Sequence, residues 1–124
     1  MYKEIREDEE QFTFVEWLQR RKIKHSAIPS STYSPHPNQW NKNKKLGLTP
    51  GLPDLLIFID SDRSVTEKAI LLFVEMKRLK GGVVSEYQKE WIECLNQVKN
   101  VEASVCEGCG EAIRFIEQYL KKRN

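Results

Sequence analysis

Cysteine is scarce: Cys94, Cys106 and Cys109 are all there are in 124 residues. A count so small and odd excludes a disulfide framework and predicts a reducing, cytoplasmic setting. Long apolar runs are missing too. None approaches the ~20 residues that span a bilayer, and the opening Met1-Tyr2-Lys3-Glu4-Ile5-Arg6-Glu7 has no hydrophobic signal segment. The expectation is one domain over residues 1–124 with a single modest core and no membrane partner. The two histidines, His25 and His36, show no metal-ligand spacing. Asp60 and Asp62 lack the glycine and distal glutamate of a calcium loop. No internal repeat is found.

An excess of one charge is also absent, since the formal net charge is +2. Its distribution is uneven. The first ten residues hold five acids and two bases, leaving 18 bases against 13 acids in the rest. Basic clusters stand at Arg20-Arg21-Lys22-Lys24, Lys42-Lys44-Lys45, Lys77-Arg78-Lys80 and Lys121-Lys122-Arg123. Each is either a solvated surface or a place to hold phosphates.

What the chain does have is a compact run from Gly51 to Lys77: Gly-Leu-Pro-Asp, an apolar stretch, a polar break, a second apolar stretch, then Glu-Met-Lys. Strand alternation in Val74-Glu75-Met76-Lys77 puts Glu75 and Lys77 on one face and Met76 on the other. If the two stretches pair as a hairpin, Asp54 lies across from the end of the second. Two carboxylates and an ammonium then converge. Oxygen ligands of this kind suit Mg²⁺ or Mn²⁺, and a lysine beside the metal can hold or polarise a water for attack on phosphorus.

Around that run, residues 7–21 read as a helix with Phe14, Val15, Trp17 and Leu18 as its apolar stripe. Its acids suit the N-terminal turn and its bases the C-terminal turn. Glu7 or Glu10 is also placed to reach a metal from this helix, with Gln11 nearby. A short strand is expected over 23–28. From Pro29 to Gly51 the chain reads as a long polar loop, and loops of that length are commonly functional. Tyr33, His36, Trp40, Lys42, Lys44 and Lys45 mix aromatics with cations there, which reads either as a nucleic-acid contact surface or as a mobile surface loop whose Trp40 packs on the body. Residues 55–59 and 69–74 read as strands buried on both faces. Ser85 and Gln88 have capping-box spacing at the start of a helix to about 98. A strand over 101–105 and a helix over 111–120 follow. The order α-β-β-β-α-β-α predicts a small α/β fold, a mixed central sheet flanked by helices. Cys106-Glu107-Gly108-Cys109 is a lone CxxC. A zinc site would need two further ligands, with Cys94 the one candidate third, and a thioredoxin-like role needs the pair at a helix N-terminus. Incidental cysteines are favoured.

Pro53-Asp54 followed by Glu75-Met76-Lys77 resembles the PD-(D/E)XK nuclease signature. The wider frame, Leu48-Thr49-Pro50-Gly51-Leu52-Pro53-Asp54-Leu55, then Phe73-Val74-Glu75-Met76-Lys77, Gly82 and Ser85-Glu86-Tyr87-Gln88, is similar to the VRR-NUC (virus-type replication-repair nuclease) domain. The resemblance covers nearly the whole chain and implies a restriction-endonuclease-like core, phage or bacterial coding, and metal-dependent DNA hydrolysis with Mg²⁺ or Mn²⁺. It implies that Asp54, Glu75 and the Met76 carbonyl are metal ligands, that Lys77 positions or activates the attacking water, and that Gln88 lies near the site. It also implies an acid on the first helix, with Glu10 preferred over Glu7. Ser30-Ser31-Thr32 departs from the Asn-Gly-Gly-like turn of many members. Stand-alone members resemble small dimeric Holliday-junction resolvases, so the expected protein is a homodimer acting on four-way junctions; the alternatives are a nuclease of another target (flap, nicking or RNA) and a non-catalytic DNA-binding module. Lys42, Lys44, Lys45, Arg78, Lys80 and Trp40 are the expected DNA contacts.

Overall fold

The computed structural model describes residues 2–29 and 37–122. Tyr33, His36 and the Ser30–Thr32 departure therefore lie outside the described residues. The elements run α1 (Tyr2–Arg20), β1 (Lys24–Ala27), α2 (Pro37–Lys45), β2 (Leu55–Ile59), β3 (Ile70–Lys77), α3 (Glu86–Leu95), β4 (Val101–Glu107) and α4 (Cys109–Glu117). The sheet order is β1-β2-β3-β4. β1–β2 and β2–β3 pair antiparallel and β3–β4 parallel. This is the mixed α/β architecture that the pattern of elements predicts.

Two expectations need correction. The long polar segment is not structureless, because Pro37–Lys45 is helical. Its polarity hides it from any apolar periodicity, and the readable signal was Pro37 at the first helical position, where the fixed φ suits the helix and the missing N–H costs nothing. Gln39 Nε2 donates to Asn43 Oδ1 one turn on (2.8 Å). Second, neither β2 nor the 69–74 stretch is buried on both faces, Leu71 being exposed and Phe73 half-buried in the latter. Leu55, Ile57 and Ile59 are buried, whereas Leu56 is half-buried and Phe58 exposed.

The core forms on one face of the sheet. Antiparallel register aligns Leu55 with Val74, Ile57 with Leu72 and Ile59 with Ile70. Against these pack Phe14 and Leu18 from α1 and Ala112 and Ile116 from α4, all fully buried. Two helices thus close one side of the sheet, while the other carries Leu56 and Phe73 half-buried and Phe58 and Leu71 exposed. The alternation that buries Val74 turns Glu75 and Lys77 to this thinly covered face. Among the described residues no helix is long and apolar enough to cross a membrane.

Candidate active site

Asp54 is held at the entrance to β2. Its carbonyl accepts from Ile28 N–H (2.7 Å), one step past the last β1–β2 pair. With Leu55 opposite Val74, the next cross-strand pair is Asp54 with Glu75. Met76 N–H donates to Asp54 Oδ2 (2.8 Å), so the aspartate side chain continues the ladder where β2 has ended. In an extended strand a residue's N–H and C=O point to the same edge. The Met76 carbonyl therefore emerges on the Asp54 side, whereas Lys77 O accepts from Gly108 N–H (2.9 Å) on the other.

Glu75 is 2% exposed. Its Oε2 accepts from Gln88 Nε2 (2.8 Å) and pairs with Lys77 Nζ (3.2 Å). Its Oε1 is buried with no hydrogen-bond donor among the described residues, and a proton on either carboxyl can be shared between Asp54 and Glu75. An unsatisfied buried carboxylate oxygen is costly, and a cation is the partner its chemistry accepts. Burial, then the Asp54 charge, push the Glu75 carboxyl up to about 7 against the pull of Lys77. Asp54 is raised by burial and lowered in part by the Met76 N–H and Lys77. The site thus disfavours two negative charges until a counter-charge arrives. Among the described residues no three His, Cys, Asp or Glu side chains close on one point. An ion here would have two carboxylates and a backbone carbonyl, with water completing an oxygen shell of the kind Mg²⁺ or Mn²⁺ takes.

Gln88 fills two roles at once. Its Oε1 accepts from Ser85 N–H (2.9 Å), its own N–H donates to Ser85 Oγ (3.1 Å), and its Nε2 is left for Glu75. The capping box and the contact with Glu75 are one arrangement, and the cap fixes the amide that orients the carboxylate.

The first-helix acids separate. Glu7 is raised by burial, and its field is that of the site: Lys77 lowers it and Asp54 raises it. Glu10 faces elsewhere. Its Oε1 accepts from Cys109 N–H (2.7 Å) at the start of α4, where Gly108 has no side chain to cap the helix. Of the two acids, Glu7 shares the field of Asp54 and Lys77 and Glu10 is bonded at the start of α4. Spacing to Gln11 could not separate two acids three residues apart on one helix.

Lys42, Lys44 and Lys45 are exposed in the last turn of α2, and the segment 46–53 joins that helix to Asp54. The side chain of Trp40 is outside the described residues. Lys80 is exposed, whereas Arg78 is half-buried and bonded to its own turn. A cavity of about 380 Å³ between this turn and α1 is lined by Glu9, Glu10, Arg78, Leu79 and Lys80. The CxxC does place Cys109 at the first position of α4. Burial nevertheless pushes Cys109 up and Cys106 to about 12, the reverse of an activated thiol. Cys94 is exposed on α3 and joins neither in a metal cluster.

A family model described as the VRR-NUC domain matches residues 2–110. A solved structure described as a VRR_NUC domain protein is similar to the chain, with 27% identity and a TM-score of 0.67, covering 91% of this chain and 86% of that one. No curated protein matches.

Proposed function

The chain belongs to the VRR-NUC domain family, and we propose that it is a divalent-metal-dependent endonuclease that hydrolyses DNA phosphodiester bonds in branched DNA, four-way junctions first. Nuclease chemistry of the PD-(D/E)XK type follows from the family. The observation that carries the metal-dependent reading is the Oε1 of buried Glu75, without a hydrogen-bond donor among the described residues and set beside Asp54 and Lys77. Asp54, Glu75 and the Met76 carbonyl are the residues that would hold Mg²⁺ or Mn²⁺. The bound ion supplies a Lewis acid that acidifies water and offsets negative charge developing on phosphorus.

The chain's own groups do the rest. Lys77 brings a fixed positive charge to the place where the phosphoryl oxygens gain negative charge. Glu75 anchors that ammonium, and Gln88 anchors Glu75 through the rigid start of α3. Glu7, close enough to feel Lys77 and Asp54, is the first-helix acid assigned to the site, acting through water. The exposed lysines of α2 and Lys80 bind phosphates away from the scissile bond. Because stand-alone members resemble dimeric junction resolvases, a two-fold homodimer presenting two sites to opposed strands is the assigned assembly.

The test is cleavage of a labelled four-way junction beside linear duplex, flap, single-stranded DNA and RNA, with Mg²⁺, Mn²⁺ or EDTA, for wild type and Glu75→Ala. Metal-dependent, symmetric junction cutting that vanishes in the variant is expected. Cutting confined to another substrate would discard the junction assignment and keep the chemistry. No metal-dependent cutting in any lane would overturn the nuclease reading.

A further inference from the structure

By sequence, Arg78 belongs to a basic cluster that faces nucleic acid. Its guanidinium instead turns back on the chain that follows it. Nε donates to Lys80 O (2.6 Å) and Nη2 to Gly81 O (2.5 Å). These two bonds close residues 78–81 around the guanidinium. Gly81 has φ of 74°, and a Cβ there would lie 2.8 Å from Arg78 Nη2. The turn thus needs a residue without a side chain where the guanidinium lies.

Gly82 then leaves the turn directly against Lys77. A Cβ on Gly82 would lie 2.9 Å from Lys77 Cβ and 3.4 Å from its Cγ and Cδ. Lys77 is 8% exposed, and its Nζ is 3.2 Å from Glu75 Oε2. A lysine stem has four flexible carbons and about 2 kcal/mol of rotamer entropy. A backbone wall along Cβ, Cγ and Cδ removes much of that freedom.

We propose that Arg78 is a positioning residue: it folds the 78–82 turn so that Gly82 walls the Lys77 side chain and holds its ammonium beside Glu75. The inference rests on the role given to Lys77 above. It opposes a simple phosphate contact, because two of the guanidinium's donors are already committed to carbonyls. Arg78→Lys separates the two roles. Lysine keeps the positive charge but has no planar fork to reach two carbonyls together.

The experiment compares wild type, Arg78→Lys, Arg78→Gln and Gly82→Ala at a temperature where thermal unfolding shows each variant folded. Reactivity of the Lys77 amine to reductive methylation is followed by mass spectrometry in metal-free, DNA-free protein. Binding of a catalytically uncut junction in EDTA and single-turnover cleavage with Mg²⁺ are measured beside it. Positioning predicts that Lys77 methylates at least several-fold faster in Arg78→Lys and Gly82→Ala while other lysines do not change. Cleavage by both should fall tenfold or more, with junction affinity of Arg78→Lys within twofold of wild type. Unchanged Lys77 reactivity in both variants would overturn the proposal. So would full activity in Arg78→Lys combined with weakened DNA binding in Arg78→Gln, the signature of a phosphate contact. If wild type cuts no substrate, the nuclease proposal fails separately, and Lys77 labelling still decides whether Arg78 fixes that side chain.

Discussion

Glu75 shows how burial changes the chemistry of one carboxyl group. Its carboxyl is raised to about 7, against an ordinary 4.5, by burial and by Asp54. A group whose folded pKa lies above its unfolded one contributes stability that is complete below the unfolded value and is lost as pH rises through the folded value. In EDTA, the melting temperature should therefore fall between pH 5 and 8 more steeply for wild type than for Glu75→Gln, which cannot titrate. Parallel curves by circular dichroism would refute the assignment. Lys77→Ala removes a charge directed at the reacting phosphate and should lower kcat about 10²-fold or more with the melting temperature preserved; full activity would remove Lys77 from the chemistry. Glu7 and Glu10, three residues apart, should part company: Glu7→Gln should reduce cleavage, whereas Glu10→Gln should leave cleavage and lower stability by about 1 kcal/mol through the weakened cap on α4. Reversed results would return the active-site role to Glu10.

At the scale of elements, the site depends on how closely α3 approaches the end of the hairpin. Gly51 makes that approach possible. Its φ is 103°, and a Cβ there would lie 2.5 Å from the backbone C and O of Tyr87. Gly51→Ala should cost about 1–3 kcal/mol from the backbone conformation alone, and it should push the Ser85–Gln88 cap away from Glu75. Urea unfolding measures the first effect and loss of cleavage by the folded fraction the second. A variant as stable and active as wild type would show that the approach does not matter. Ser85 gives the complementary case, since its hydroxyl accepts the N–H of Gln88. α1 and α4 are coupled similarly, because Glu10 on one supplies the cap that Gly108 cannot supply on the other.

For the whole molecule, the pairing of buried Glu75 with half-buried Asp54 predicts that metal stabilises the fold. A ligand that binds only the native state adds about 2.7 kcal/mol at a hundredfold excess over its Kd. Mg²⁺ or Mn²⁺ should raise the melting temperature of wild type and not that of an Asp54→Asn, Glu75→Gln double variant. An equal rise in both would place the ion elsewhere. Sedimentation should give a dimer if two sites act on opposed strands of a junction. A monomer that cuts the junction symmetrically would remove the two-fold model.

Much of this was present in the chain itself. Apolar stretches at 55–59 and 69–74 marked the two strands and the Ser85–Gln88 spacing marked the cap, because each depends on neighbours a few residues away; the Pro-Asp and Glu-Met-Lys strings pointed to the candidate carboxylates. Alternation alone put Glu75 and Lys77 together. α2 stayed hidden because a helix of Asn, Gln and Lys has no apolar stripe to betray it. Glu7 and Glu10 could not be told apart, since both point inward from α1 and only the packing of α1 against α4 separates their targets. Sequence likewise marked Arg78 as a surface cation and Gly81-Gly82 as a break. Tertiary structure decided that the arginine bonds to the carbonyls of its own turn and that Gly82 meets Lys77, because a contact's identity depends on which surfaces the fold brings within reach.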